Sequence, residues 1–592
     1  MNDTWDLSVF YNDFNDPRIE ADFDKINALI PQAQALLASG QDAVAVLEQG
    51  ADILETLQGT LGKLGSYANL TRATDAANAP AMQLMDRVMQ LSVPAGMLGN
   101  AFSRYVGSLS AEALETAIAS SEKLSAIGFS LRRARDAAQH QAAPEIEEWL
   151  LRMSLDGANA FSTLRDQLDA TLLVDYRGEQ LPLSAVRGKA EDPDPQVRRD
   201  AYLAELEAYK KIEIPMAACL NGIKGQGLTM IDAEHFDSIL AESLYNSNMD
   251  QQTLDAMWTA CREYFPAFRR YLRKKGELLG HKNGLPFYDL FAPLQTGDAP
   301  AKTYTVEEAH DILLRELGKF TPDMADFIDH AFQNRWIDMF PRPGKGGGAF
   351  CAPVSHAEQS RVLTNFTGSL GDVSTLAHEL GHAWHNRCMA GLPSVMTDTP
   401  MPLAETASIF NETMLSYQVL SSCTPESELN LLEAGIMEAT QTVVDIYSRF
   451  LFEQEVVDTR ADHAMTVDEL KDAMLRAQDR TYGDGLDPEL RHPYMWACKS
   501  HYYSSGLNFY NFPYAFGLLF GKGVFARYLE QGSSFVPVYC RLLRSCGSDT
   551  VANVTASVGI DVRSTDFWRS SLSVVEKDID RFCFLVDQKL NA

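Results

Sequence analysis

Residues 375–385 read Thr-Leu-Ala-His-Glu-Leu-Gly-His-Ala-Trp-His, and the five at its centre, His378-Glu379-Leu380-Gly381-His382, govern the interpretation of the whole chain. On an α-helix, residues four apart lie only about 40° apart around the axis and about 6 Å along it. His378 and His382 therefore share a face from which both imidazoles reach one tetrahedral Zn²⁺ at about 2.0–2.1 Å. Glu379 is turned from that face by about 100°. It can still reach a water in the fourth position of the metal and act as its general base. Leu376 and Leu380 give the helix an apolar side, and Asp372 or Ser374 can cap its N-terminus.

A third ligand is expected downstream. The stretch Pro402–Glu412 reads as a second helix with proline in its first turn. Its Glu405 follows His382 by 23 residues, enough for a loop and a return. Two histidines, one glutamate and a water form the open arrangement of a catalytic zinc site, whereas a structural site is closed by four protein ligands. Glu412 lies two turns on, on the same face, either orienting a ligand or standing as an ordinary surface carboxylate; it stays outside the ligand set. His385 falls past the metal along the axis and takes a supporting or solvent-facing position.

Upstream, Gly346–Cys351 and Arg361–Phe366 flank a polar turn at Ser355–Gln359 and read as paired strands. Gly346, Gly347, Gly348 and Ala349 open the first. A sheet edge there can add an extended peptide as a further strand, and the glycines let a substrate backbone approach closely.

Further out, most of the sequence has helical periodicity. Ile146, Trp149, Leu150 and Met153 form an i, i+3, i+4, i+7 stripe after Pro144, expected to pack into a core. Phe23, Ile26, Ile30, Ala33 and Leu37 share a face, with Pro31 expected to kink or end that helix. A hairpin is expected for Leu172–Val174 and Leu181–Leu183, turning at Arg177-Gly178. The irregular stretches are 191–195, 284–300 and 482–488.

The 592 residues are 46% hydrophobic and 22% charged, which excludes a disordered or low-complexity chain. Lys plus Arg number 51 against 80 Asp plus Glu, a net charge of −29 that repels phosphate backbones and anionic lipid and argues against nucleic-acid or membrane-surface partners. The nine cysteines are scattered, without CxxC, so reduced thiols are expected rather than a disulfide framework. With no basic and apolar leader and no apolar run of about eighteen residues, the chain reads as a soluble cytoplasmic protein.

The strings TLAHELGHAWH and PLAETASIFNE resemble the oligoendopeptidase F branch of the thimet oligopeptidase family of zinc metallopeptidases. The likeness extends upstream to FPRPGKGGGAFC and VLTNFTGSLGDVSTLAHE and downstream to WACKSHYYSSGLNFYNFPYAFG. It implies a mainly α, large helical zincin-type peptidase, with a small β-sheet beside the active-site helix and a deep substrate channel. It further implies an N-terminal helical oligopeptidase domain over 1–190 and a catalytic domain over 191–592. His378, His382 and Glu405 resemble the family's ligands to one Zn²⁺ per chain, and Glu379 its general base. His501 resembles its substrate-contacting histidine, and Tyr510 and Tyr514 its oxyanion-stabilising tyrosines. The usual tyrosine repeat is interrupted here by Phe512 and Pro513, so Tyr502 and Tyr503 also remain candidates.

The expected activity is cleavage of internal bonds in short peptides. A peptidyl-dipeptidase or carboxypeptidase on the same zinc core is the alternative. A peptide-binding protein without turnover is disfavoured because both histidines, Glu379 and Glu405 are all present, and a structural zinc site because Cys388 is poorly placed as a fourth ligand. The oligomeric state is left open.

Overall fold

The computed structural model describes residues 3–294, 303–421 and 423–591, so the end of the irregular stretch 284–300 lies outside the described residues. The chain is 73% helix and 4% strand, the mainly α architecture expected. It forms two compact units, each assembled from three separate segments. The first takes residues 1–140, 300–418 and 527–559; the second takes 141–299, 419–526 and 560–592. Residues 190 and 191, on either side of the expected domain boundary, both lie in the second unit.

In the first unit, three long helices, Pro17–Leu37, Ala43–Thr74 and Ala79–Ser108, are each started by a side-chain cap. Asp16, Asp42 and Asn78 accept hydrogen bonds from first-turn N–H groups that have no partner within the helix. The Pro17–Leu37 helix does not end at Pro31. The proline is solvent-exposed while Ala33 and Leu36 beyond it are buried, so packing of the inner face carries the helix past one missing hydrogen bond. Phe23, Ile26, Leu57, Leu64 and Tyr67 pack with Val354 and Leu363 of a small sheet, which joins the sheet to the helical layer.

That sheet has three strands in the order Ile337–Asp338, Gln359–Leu363, Phe350–Val354. Phe350–Val354 runs antiparallel to Gln359–Leu363, with Phe350 opposite Leu363 and Val354 opposite Gln359. The register corrects the sequence reading. The pair is formed as expected, but Gly346–Ala349 precede the strand as a loop, and the second strand occupies 359–363 rather than 361–366. Glycine gives up more backbone freedom in a strand than other residues and has no side chain to pack there. Asn365 Nδ2 instead donates to the Gly346 and Gly348 carbonyls at 3.0 and 2.8 Å, and Gly348 has φ +76°. Phe350–Val354 is an edge strand.

In the second unit, the helix Gln251–Leu278 packs along Thr565–Asn591, with the Tyr271 and Phe582 rings 5.2 Å apart. A separate core gathers Val174, Tyr209, Leu220, Phe452 and Trp496. The expected hairpin is present as Leu173–Tyr176 against Glu179–Pro182. Its two turn residues have positive φ, Arg177 at +54° and Gly178 at +85°, the handedness that matches strand twist.

One reading is overturned. The helix Pro144–Asp156 forms, but its stripe is not core: Ile146, Trp149 and Met153 are 50%, 67% and 68% exposed. Periodicity identified the helix, not what covers it. Its attachment is partly polar, through Gln226, whose Nε2 donates to Ser154 Oγ at 2.6 Å and whose Oε1 accepts from the Ala158 N–H at 2.7 Å. Among the described residues no helix is long and apolar enough to cross a membrane.

These burial differences predict opposite responses. Trp149→Ser and Met153→Ser should each change unfolding free energy by no more than about 0.5 kcal/mol. Leu376→Ala, at a fully buried position, should cost about 2–5 kcal/mol in the same denaturant titration.

Candidate metal centre

The helix carrying His378 and His382 spans Leu370–Cys388. Its cap is Ser369, not the Asp372 or Ser374 of the sequence reading. Ser369 Oγ accepts from the Asp372 N–H, and the Asp372 carboxylate accepts from the Ser369 N–H, a reciprocal pair that fixes where the helix starts. Asp372 also accepts from the Thr367 N–H and hydroxyl, tying down the approach from the sheet. Leu376 and Leu380 are fully buried, the apolar side expected of them.

The return segment is two helices rather than one. Met401–Ala404 is a short turn with Pro402 in it, and Thr406–Leu420 follows. Glu405 stands at the break, with φ −88° and ψ 6°. The break presents its side chain to the histidines, and Ser408 Oγ donates to Glu405 Oε2 at 2.6 Å to hold it there.

Glu405 Oε2 lies 3.3 Å from His378 Nε2 and 3.3 Å from His382 Nε2. Ligands about 2.0–2.1 Å from one ion at the tetrahedral angle stand roughly 3.3–3.4 Å apart, so these two spacings are edges of a zinc tetrahedron. The three donor atoms lie within 4.8 Å of one another, and each side chain is about a quarter exposed, at 26%, 24% and 29%, which leaves a side open for a fourth ligand. Behind them, His378 Nδ1 faces Glu412 Oε2 at 3.2 Å. An Nδ1–H donated to that carboxylate directs the Nε2 lone pair toward Glu405 and the metal position. Ser374 Oγ donates to the other Glu412 oxygen at 3.3 Å.

The charge balance favours a cation. Burial works against a charged His378, yet hydrogen bonds to Glu405 and Glu412 hold its pKa up to about 10. Burial also acts against a charged Glu405, but hydrogen bonds from both histidines keep its carboxyl well below the ordinary range. A pocket that draws a proton onto imidazole this strongly has the donors and the field for Zn²⁺, and the residues fit that ion. Glu379 is 6% exposed, and burial raises its carboxyl above the ordinary range while the two histidines pull it down. A carboxylate shifted in that direction is a better proton acceptor.

Gly381 has a structural reason. A Cβ built there would stand 2.5 Å from the Ala407 carbonyl oxygen and 2.7 Å from Ser408 Cα. The two helices touch backbone to backbone at this point, and Asn411 Nδ2 donates to the Ala377 carbonyl at 3.2 Å one turn away. His385 is not solvent-facing. It is buried, its Nε2 donates to the Leu543 carbonyl at 3.1 Å, and burial lowers its pKa to about 4, so it is a neutral packing residue.

The other expected residues belong to the second unit. His501 stacks on Tyr510, with ring centroids 5.1 Å apart and planes 17° apart, and the Tyr510 and Tyr514 hydroxyls hydrogen-bond each other. Desolvation, with Arg449 and Lys499 nearby, lowers the His501 pKa and favours neutral imidazole. Tyr514 is 36% exposed, whereas Tyr502 and Tyr503 are 1% exposed and packed within the core. In the first unit, the Gly346 N–H is taken by the Ala73 carbonyl at 2.8 Å, so this part of the glycine loop is fastened rather than loose. The sequence reading missed Gly381 and Ser408, which carry no local signal; of the two positions weighed for Glu412, from its spacing of two turns from Glu405, the structure has the one beside a ligand.

A sequence model described as peptidase family M3 matches residues 189–574, and one described as Oligopeptidase F matches residues 106–173. The chain is 23% identical over 589 residues to a protein named Oligopeptidase PepF from Bacillus subtilis, across 98% of this chain and 86% of that one. It is also 23% identical over 602 residues to an Oligoendopeptidase F homolog from Lactococcus lactis subsp. lactis, across 99% and 97%. Among solved structures, a peptidase from Chlamydophila abortus aligns with a TM-score of 0.84 at 23% identity over 98% of both chains. Oligoendopeptidase-F from Enterococcus faecium aligns with a TM-score of 0.69 at 19% identity over 96% of this chain and 100% of that one. The structural likenesses establish a shared fold.

Gly381→Ala should force the Thr406–Leu420 helix away and loosen Glu405 from the histidines. The expected result is at least a tenfold loss of zinc affinity by competition with a chromophoric chelator. Glu412→Gln should lower the affinity by a similar factor with little change in thermal stability.

Proposed function

The chain belongs to peptidase family M3, and on that premise we propose that it is a zinc-dependent endopeptidase hydrolysing internal bonds of short oligopeptides. The observation that carries the proposal is the convergence of His378 Nε2, His382 Nε2 and Glu405 Oε2 at tetrahedral spacing with buried Glu379 on the same helix. A Zn²⁺ held by those three residues supplies Lewis acidity that polarises water and carbonyl oxygen at neutral pH. The Glu379 carboxylate takes a proton from the attacking water as the water oxygen bonds to the scissile carbonyl carbon. It then returns that proton to the leaving nitrogen as the carbon–nitrogen bond breaks, so the base is regenerated. Glu412 and Ser408 keep His378 and Glu405 oriented throughout.

In this reading His501, Tyr510 and Tyr514 donate hydrogen bonds to the substrate carbonyl as negative charge develops on it. Their likeness to the family's segment supports the assignment, as does the hydroxyl pair. The edge strand Phe350–Val354, entered through Gly346–Ala349, is assigned to the peptide main chain, supported by its being paired on one side only. An N-terminal domain at 1–190 and a catalytic domain at 191–592 are kept, supported by the family matches, which end at 173 and begin at 189. A cytoplasmic location is supported by nine cysteines that are all unpaired.

The test is cleavage of an internally quenched peptide of about ten residues, with products identified by mass. Wild type should cut internally, should still do so when the C-terminus is amidated, and should stop when zinc is chelated. Glu379→Gln should bind one zinc per chain and lose about 10²–10⁴-fold in kcat. Terminal products that vanish on amidation would instead make it a peptidyl-dipeptidase or carboxypeptidase. Full turnover by zinc-loaded Glu379→Gln would overturn the assignment of the base.

A further inference from the structure

Tyr510 is the last but one residue of a loop, 504–511, that holds a backbone conformation most side chains avoid. Phe509 has φ +50°, in the left-handed region, which is costly for a bulky residue and persists only where the surroundings impose it. Three groups impose it here. The Phe509 N–H donates to Glu453 Oε1 at 3.1 Å. Lys224 Nζ donates to the same oxygen at 2.5 Å and to Asn508 Oδ1 at 2.8 Å. The Asn508 carbonyl accepts from Ser243 Oγ at 2.9 Å. The Phe509 ring is 2% exposed and lies 5.2 Å from the Phe450 ring.

The fastening comes from three helices, Glu213–Ala233, Ile239–Asn246 and Ile446–Asp462, all in the second unit. Lys224 is 0% and Glu453 3% exposed. A buried ion pair is a poor source of stability, because apolar side chains of the same volume commonly serve as well. What this pair does that apolar residues cannot is bond the main-chain N–H of Phe509 and the side chain of Asn508. The next residue is Tyr510, stacked on His501 and bonded to Tyr514.

We infer that Lys224 and Glu453 are positioning residues for turnover: together they lock Asn508-Phe509 in its left-handed turn and so hold the Tyr510 phenol against His501 and Tyr514. The inference rests on the role given to Tyr510 above. It assigns the pair an effect on kcat through one hydroxyl, not merely a share in stability.

A double-mutant cycle separates the two claims. The paired substitution Lys224→Met with Glu453→Met removes both charges and leaves neither buried alone. It is made in wild-type and in Tyr510→Phe enzyme, with Asn508→Ala as a milder change at the same contact. Each variant is checked for zinc content and thermal unfolding, and kcat and KM are measured on the quenched peptide. Tyr510→Phe should itself lower kcat. The methionine pair and Asn508→Ala should lower kcat by about tenfold in the wild-type background, with KM within about twofold, and by less than about twofold when Tyr510 is already Phe. An equal loss in both backgrounds would overturn the positioning role and leave the role of Tyr510 standing. Unchanged kcat in Tyr510→Phe would overturn the role of Tyr510 and the inference with it.

Discussion

Two helices approach until backbone meets backbone at Gly381, and the proposed metal centre depends on that contact. Any side chain at 381 would collide with Ala407 and Ser408. With hydrogen there, the return segment lies close enough for Glu405, in the break before Thr406, to reach both histidines through one oxygen. The rest of the neighbourhood holds this approach in place. Ser369 and Asp372 set the start of one helix, Asn411 bonds it to the other, and Leu376 and Leu380 anchor its far side in apolar surroundings.

At positions seven residues apart, the Leu370–Cys388 helix places histidine in two opposite environments. His378 faces carboxylates and is a strong base; His385 is turned into the interior, bonded to the Leu543 carbonyl, and stays neutral. A step of seven residues returns to nearly the same face about two turns further along the axis, so the contrast comes from what packs at each level, carboxylates at one and the Leu543 carbonyl at the other. Two carboxylates, Glu405 and Glu412, act on one imidazole from its two nitrogens, while Glu379 is buried and its carboxyl is raised by that burial where that of Glu405 is held down. The three glutamates proposed as ligand, orienting group and base thus stand in different environments.

Much of the site was legible in the sequence because its spacing is local. The i, i+4 histidines, the adjacent glutamate and a third donor after a short return follow from helix geometry and zinc's coordination number alone. The hairpin at Arg177-Gly178 was legible for the same reason. What could not be read depends on distant partners. Nothing around Ile146, Trp149 and Met153 tells whether another surface will cover them, and among the described residues all three stay exposed. The strand register shifted because Asn365 captures the glycine carbonyls, a contact invisible in the run Gly346–Gly348. The two units each combine three distant segments, which no local pattern encodes. Gly381 looked like an incidental residue inside the motif until the helix it touches was in place.

The proposed centre is two imidazoles and one carboxylate holding a single zinc with one position open. X-ray absorption at the zinc edge of the purified protein, together with metal analysis, tests it most directly. One zinc per chain should be found, with about four nitrogen or oxygen neighbours near 2.0–2.1 Å and the outer scattering of two imidazoles. A sulfur neighbour near 2.3 Å, or zinc retained in full when His378 and His382 are both changed to alanine, would contradict it.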